Sequence, residues 1–243
     1  MNPATAAHLI DLNHNFYENF GDSFSATRGR LQPGVLRILK NLNGDESILD
    51  LGCGNGQLAR ELARRGHSGP YLGVDFSLPL LREARVQALG LPATFLMADL
   101  TQFSLLGGRL PIRQHWALVT AFAVLHHIPG EELRLDILRT VLHLLEPEGR
   151  LVLSNWQFLN SEKLRGRIQP WEAAGLSSSD VDAGDYLLDW KRDGACLRYA
   201  HHFSAEELSH LAALAGFRVI DSFLSDGEGS KLGLYQIWKK RNS

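Results

Sequence analysis

The sequence predicts an α/β fold: a mostly parallel sheet with helices on both faces. Short apolar segments of strand length alternate with helical segments through the middle of the chain. The last two strands have no helix between them, which turns one of them antiparallel. A glycine-rich stretch, Gly52-Cys53-Gly54-Asn55-Gly56, joins the first strand to its helix and makes the chain reverse tightly there.

The elements follow in order. Leu9, Leu12, Phe16 and Phe20 recur at helical spacing and predict an amphipathic helix ahead of the main domain. Pro33 suits the first turn of a second helix carrying Val35, Leu36 and Leu39. Residues 47–51 (SILDL) read as a buried strand and 57–65 as a helix. Strand 71–75 (YLGVD), helix 79–89 and strand 93–97 come next. Strand 116–123, helix 131–145 and strand 150–154 complete the alternating part. Residues 157–195 are polar and mixed, with few periodic apolar positions, and read as an insertion over the sheet's edge. Regularity returns at Ser204, an N-cap residue followed by Ala205-Glu206-Glu207, with Gly216 as the stop signal. Segments 217–224 and 232–239 are the two final strands. The chain divides into a helical cap, 1–44, and a domain over 45–243 with an insertion at about 157–203.

Composition narrows the class. The 243 residues, 44% hydrophobic and 21% charged, are enough for a proper core. No apolar run approaches the roughly 20 residues that span a bilayer. The first 20 residues are polar and carry acids, unlike a secretory signal or an Arg-rich transit peptide. Two cysteines without zinc spacing make a reducing cytoplasm the expected location. A net charge of −2 argues against a broad nucleic-acid-coating surface and leaves room for a local basic patch. Lys163–Arg167, Lys191-Arg192 and Lys239–Arg241 are the basic clusters, each either a phosphate contact or a solvated face.

Leu49-Asp50-Leu51-Gly52-Cys53-Gly54-Asn55-Gly56 carries the most chemistry. Its glycines permit positive φ and let a ligand approach the backbone. Asp75 ends the second strand about 20 residues on, where a carboxylate can accept two ribose hydroxyls. Asp99 follows the third strand, placed for an adenine amine or its surroundings. A nicotinamide site would require glycine where Gln57 stands. Asp50, ahead of the glycines, would repel a pyrophosphate and suits a cation. The bland alternative is a tight strand–helix turn with no ligand.

These residues resemble the class I S-adenosylmethionine-dependent methyltransferases: LDLGCGNG their first motif, VDFS their ribose-binding acid, MADL their adenine-side motif. The resemblance implies a Rossmann-like seven-stranded, mostly parallel sheet with a reversed last strand, with S-adenosyl-L-methionine as cofactor. The cofactor-binding set it implies is Asp50, Gly52, Cys53, Gly54, Asp75, Phe76, Asp99, Leu100 and Ala121, with Asp50 near the methionine amine and Cys53 a small residue of the turn.

Further segments resemble the tRNA wobble-uridine carboxymethyl methyltransferases. They are Phe24-Ser25-Ala26-Thr27-Arg28, the paired histidines of AFAVLHHIPG (121–130), Asn155-Trp156, GDYLLDW (184–190), and RYAHHF (198–203) with Glu206-Glu207-Leu208. Gln32 departs from that family's tryptophan before proline, and the tryptophan pair near its C-terminus is matched only loosely by 234–238. That family esterifies a uridine-borne carboxylate and has a small zinc-binding activator protein as partner, so tRNA and such an activator are the implied partners. A carboxylic acid with a pKa near 4 is already ionised at neutral pH and needs no base. Arg28 is the first candidate to clamp it; Arg198, His201 and His127 are candidates for the carboxylate, a base or a nearby phosphate. Their bland alternatives are helix capping for Arg28 and surface positions on a strand for Arg198 and His201. Trp156, Trp171 and Trp190 are candidates to stack an extruded base.

Two other functions fit the same residues. A small-molecule O-methyltransferase acting on a hydroxyl of high pKa would need a base, which His126 or His127 could supply. A cofactor-binding regulatory subunit would need none. If the chain is still extended at the pair, adjacent side chains point to opposite faces, so one histidine faces the pocket, and His127 is the candidate. No third ligand at suitable spacing supports zinc.

Overall fold

The computed structural model describes residues 1–26, 29–102, 115–190 and 196–241. Two helices lead: α1 (Pro3–Ala26) and α2 (Pro33–Leu39), the latter with proline in its first turn. The alternating part is β1 (Ile48–Leu51), α3 (Gln57–Arg64), β2 (Tyr71–Asp75), α4 (Leu78–Gln87), β3 (Ala93–Met97), β4 (Trp116–Phe122), α5 (Glu131–Leu144) and β5 (Leu145–Trp156). Then come α6 (Glu162–Arg165), β6 (Ile168–Gln169), β7 (Asp185–Trp190) and β8 (Cys196–His201). The chain closes with α7 (Ala205–Leu214), β9 (Phe217–Ser225) and β10 (Gly233–Lys240).

The large sheet has seven strands in the order β3-β2-β1-β4-β5-β10-β9. Neighbours among β1 to β5 are parallel, and β10 runs antiparallel to both β5 and β9. The last strand is the reversed one, as the missing helix before it requires. Alternate residues of each central strand enter opposite cores. Leu49, Val119 and Leu153 pack with Leu138 of α5 and Leu211 of α7, while Ile48, Leu118 and Val152 pack with Ile38 of α2 and Leu62 of α3. Each such fully buried leucine contributes about 1.5–3 kcal/mol. No helix among the described residues is long and apolar enough to cross a membrane.

The segment 157–195, read from sequence as irregular, instead contributes α6 and the strands β6 and β7, which with β8 form a second sheet in the order β6-β7-β8, each pair antiparallel. Leu187 and Leu188 are both fully buried, Leu188 against Phe158 and Ala200, so the strand lacks the alternation that would have revealed it. At the edge strand β8, Asn13 of α1 stands in for a missing strand. Its Oδ1 accepts the Tyr199 N–H at 2.9 Å and its Nδ2 donates to the Tyr199 carbonyl at 3.2 Å.

A buried charge cluster ties this small sheet to α5 and α7. His201 donates from Nδ1 to Asp185 and from Nε2 to Glu207, each at 2.7 Å. Tyr199 donates its hydroxyl proton to Asp185 at 2.6 Å and receives Arg134 at 2.9 Å. With a carboxylate at each nitrogen, the His201 ring carries both protons. Burial alone would lower its pKa; the bonds to Asp185 and Glu207 outweigh that and hold it above the ordinary value. Glu207 is held below its own ordinary value, because His201 outweighs burial there. Glu207 also completes a capping box at α7, where its backbone N–H reaches Ser204 Oγ at 3.0 Å.

A raised histidine pKa gives stability that is complete below the unfolded value near 6.5 and lost as pH rises through the folded value. Thermal denaturation at successive pH values should therefore show the melting temperature falling above pH 6.5. His201→Ala should cost about 3 kcal/mol, as breaking a buried pair does, and should flatten that slope. An unchanged slope in the variant would remove His201 from the explanation.

Candidate functional site

The acid of the first motif is built into the sheet before it meets any ligand. Asp50 stands one residue before the end of β1 with its carboxylate between two neighbouring strands, accepting the Tyr71 hydroxyl of β2 at 2.6 Å and the Thr120 hydroxyl of β4 at 2.7 Å. Burial pushes its pKa up to about 6 against the pull of those two bonds, with the nearby Asp75 adding to the rise. Beyond it the chain turns through Gly52 and Gly54, at φ +66° and +53°. A Cβ on Gly52 would run into Val124 at 2.5 Å, whereas one on Gly54 would meet no atom within 4 Å. The turn thus closes against the β4 end on one side and leaves open space on the other.

That open space belongs to a cavity of about 410 Å³ at the carboxyl ends of the central strands. Asp50, Gly52, Cys53, Gly54, Asp75, Phe76, Asp99 and Leu100 line it. Asp75 accepts the Gly54 N–H at 2.8 Å and the Ser77 N–H at 2.9 Å, and burial raises its pKa despite them. Asp99 accepts both the backbone N–H and the hydroxyl of Thr101 at 2.8 Å. Burial pushes the Cys53 thiol well up, and its sulfur fills the space over Gly73. Cys53 is therefore an inert wall of the turn.

Ala121 is buried in the core with residues of α5, and Phe122, Ala123 and Val124, which follow it, line the cavity. Ala123 holds φ at +57°, an uncommon conformation for a residue with a Cβ, and donates its N–H to Ser154.

The paired histidines are not extended. Leu125–His127 form a single 3₁₀ turn that brings their ring centroids to 4.2 Å, and this turn, not strand alternation, separates their surroundings. His126 is buried and its Nδ1 accepts the Trp156 N–H at 3.4 Å. His127 lines the cavity. Its Nδ1 lies 3.2 Å from the Tyr199 carbonyl, which can only accept, so Nδ1 carries the proton. In the neutral ring, Nε2 then accepts the Tyr17 hydroxyl at 3.1 Å.

The other acceptor candidates separate. Arg28, Lys191 and Arg192 lie outside the described residues. Arg198 and His201 stand on β8 but are neither at the surface nor in the cavity wall. His201 belongs to the Asp185 cluster. The Arg198 guanidinium lies over the ring of Trp156 at 4.7 Å and over Phe16 at 5.3 Å, a cation–π sandwich that holds Trp156 in place. Trp156 itself lines the cavity; Trp190 packs edge-on against Phe16, and Trp171 lies elsewhere. Among the described residues no group of three or more His, Cys, Asp or Glu side chains is arranged to hold a metal.

Sequence reasoning missed the α1 contribution. Asn13, His14 and Tyr17 line the cavity on the helix face next to the apolar stripe. The apolar periodicity that found the helix is blind to polar residues beside it.

A model of the methyltransferase domain matches residues 24–222. The chain belongs to that family. It is 31% identical over 210 residues to a putative methyltransferase of Encephalitozoon cuniculi, covering 86% of this chain and 88% of that one. It is 28% identical over 144 residues to the tRNA (carboxymethyluridine(34)-5-O)-methyltransferase of Arabidopsis thaliana, covering 59% of this chain and 32% of that longer protein. A SAM-dependent methyltransferase from Methanosarcina mazei superposes with a TM-score of 0.67 at 23% identity, covering 88% of this chain and all of that one. The cavity of the methyltransferase fits S-adenosylmethionine on its own chemistry: strand-end carboxylates, no cation in the turn, and open space over Gly54.

A cationic ligand favours ionised Asp50, so its affinity should fall as pH drops through about 6. Calorimetry should find S-adenosylmethionine bound about tenfold more weakly at pH 5 than at pH 7. Asp50→Asn should weaken binding at pH 7 and remove most of this dependence; a variant that keeps the wild-type profile would exclude Asp50.

Proposed function

We propose that this methyltransferase moves the methyl group of S-adenosylmethionine onto the side-chain carboxylate of a wobble uridine in tRNA, forming a methyl ester. The observation that carries this reading is the two-ended character of the cavity. Asp50, Asp75 and Asp99 stand at its strand ends, whereas the wall with Trp156, Tyr17 and His127 adds aromatic and polar groups, exposed Arg30, and an Asp226 whose oxygens already accept the Gly34 N–H and the Tyr235 hydroxyl. The likeness to a relative named for carboxymethyluridine at position 34 supports the choice of tRNA.

The chain's own residues have a modest chemical task. Bound S-adenosylmethionine supplies a methyl group activated by its sulfonium. The carboxylate is ionised at neutral pH, so no side chain must remove a proton. What remains is to hold one carboxylate oxygen in line, leave its lone pair free, and exclude water. Trp156, backed by Arg198, gives a base a flat surface to stack on. Tyr17 and His127 form the polar pair beside it, and Arg30 adds a positive charge without neutralising the attacking oxygen. Arg28 is proposed as the clamp on the sequence pattern alone.

Purified protein incubated with methyl-labelled cofactor and total tRNA should yield label in tRNA nucleosides that alkali releases. Label confined to a metabolite extract would overturn the tRNA reading in favour of a small-molecule acceptor. Tyr17→Phe removes one hydrogen bond, about 1–1.5 kcal/mol, and should lower turnover about tenfold with cofactor affinity retained. Undiminished turnover would take Tyr17 out of the acceptor site.

A further inference from the structure

Two turns of α1 touch both ends of the cavity. Ile10, Asn13, His14 and Tyr17 follow the i, i+3, i+4, i+7 spacing of a single helix face, and all four line the cavity. His14 meets two of the strand-end residues. Its ring centroid lies 4.6 Å from that of Phe76 at an interplanar angle of 34°, and its Nε2 is 3.4 Å from Asp99 Oδ2. Phe76 follows the acid that ends β2, and Asp99 follows β3, so a residue of α1 closes the wall that those two strands begin. Tyr17, one turn later, stands edge-on to the same Phe76 at 5.9 Å and bonds His127.

The helix is held in this register by a buried polar side chain. Asn13 is 5% exposed, between Leu9 and Phe16 on the buried side. Besides its two bonds to Tyr199, its Nδ2 donates to the His127 carbonyl at 3.2 Å. The second proton of the amide is thus used on the histidine turn, and one side chain joins α1, β8 and the 3₁₀ turn. A residue without two donors and an acceptor in that arrangement would leave at least one of these buried groups unpaired. The position of His14, adjacent to Asn13, is fixed by the same bonds.

We propose that His14 is a cofactor-contact residue at the nucleoside end of the site and that Asn13 is its positioning residue. This rests on the cavity being the S-adenosylmethionine site and on nothing about the acceptor. An aromatic ring and an acid already face His14, so a nucleoside seated there meets an aromatic surface from α1 as well as from the β2 end. The helix is then a wall of the cofactor site as well as a cover for the small sheet.

Calorimetry with S-adenosylhomocysteine, joined to hydrogen exchange over residues 8–18, tests this without an acceptor. His14→Ala should raise the Kd about tenfold while the melting temperature of the ligand-free protein stays within about 2 °C, because His14 is partly exposed and packs no core. S-adenosylhomocysteine should slow exchange over 8–18 in the wild type. Asn13→Asp, which keeps the acceptor and loses both donors, should raise the Kd and speed exchange over 8–18 in the free protein. A wild-type Kd in His14→Ala, together with exchange over 8–18 that ignores the ligand, would overturn the proposal. If tRNA accepts no label while these binding effects hold, the acceptor reading fails and this one stands.

Discussion

The hydrogen bonds from Tyr71 and Thr120 to Asp50 are the constraint on which the site depends. They cross three adjacent strands at the point where the sheet meets its ligand cavity. A lone carboxylate at that depth would be neutralised or expelled. Two hydroxyl donors keep it in place, and its pKa near 6 leaves it ionised at neutral pH but sensitive to a nearby cation. The glycine turn above it has no charge of its own. The preference for a cationic nucleoside over a pyrophosphate therefore comes from the sheet, not from the loop.

Around this fixed acid the remaining elements form a second shell of wall. The small sheet carries Tyr199, whose carbonyl sets the His127 tautomer, and Arg198, which backs Trp156. The same sheet is anchored by the Asp185–His201–Glu207 cluster to α7 and, through Tyr199, to Arg134 of α5. The GDYLLDW and RYAHHF segments thus reach the cavity wall indirectly. Asp185 and His201 hold the platform; Tyr199 and Arg198 transmit its position to the two side chains that line the cavity.

Much of the fold was legible because it rests on local signals. Strand and helix alternation, the Ser204 cap and the missing helix before β10 each follow from a few residues, while the count of seven strands came with the family resemblance. Asp50, Gly52, Gly54, Asp75 and Asp99 could be brought to one cavity for the same reason, since they sit at or near strand ends that the apolar runs locate. The small sheet was not, because Leu187 and Leu188 are buried on both faces and show no period of two. His127 could be placed near the cavity, but its 3₁₀ turn depends on packing against β5 and β8. The roles of Asn13, His14 and Tyr17 depend on contacts across more than 80 residues of chain, which no local pattern records.

The central claim is that strand-end acids make this cavity a site for a cationic nucleoside rather than a dinucleotide. Competition calorimetry at pH 7 tests it most directly, with S-adenosylmethionine titrated into protein alone and into protein in millimolar NAD. The predicted result is one site for S-adenosylmethionine, with an affinity unaffected by millimolar NAD. Displacement of S-adenosylmethionine by NAD at comparable concentration would contradict it.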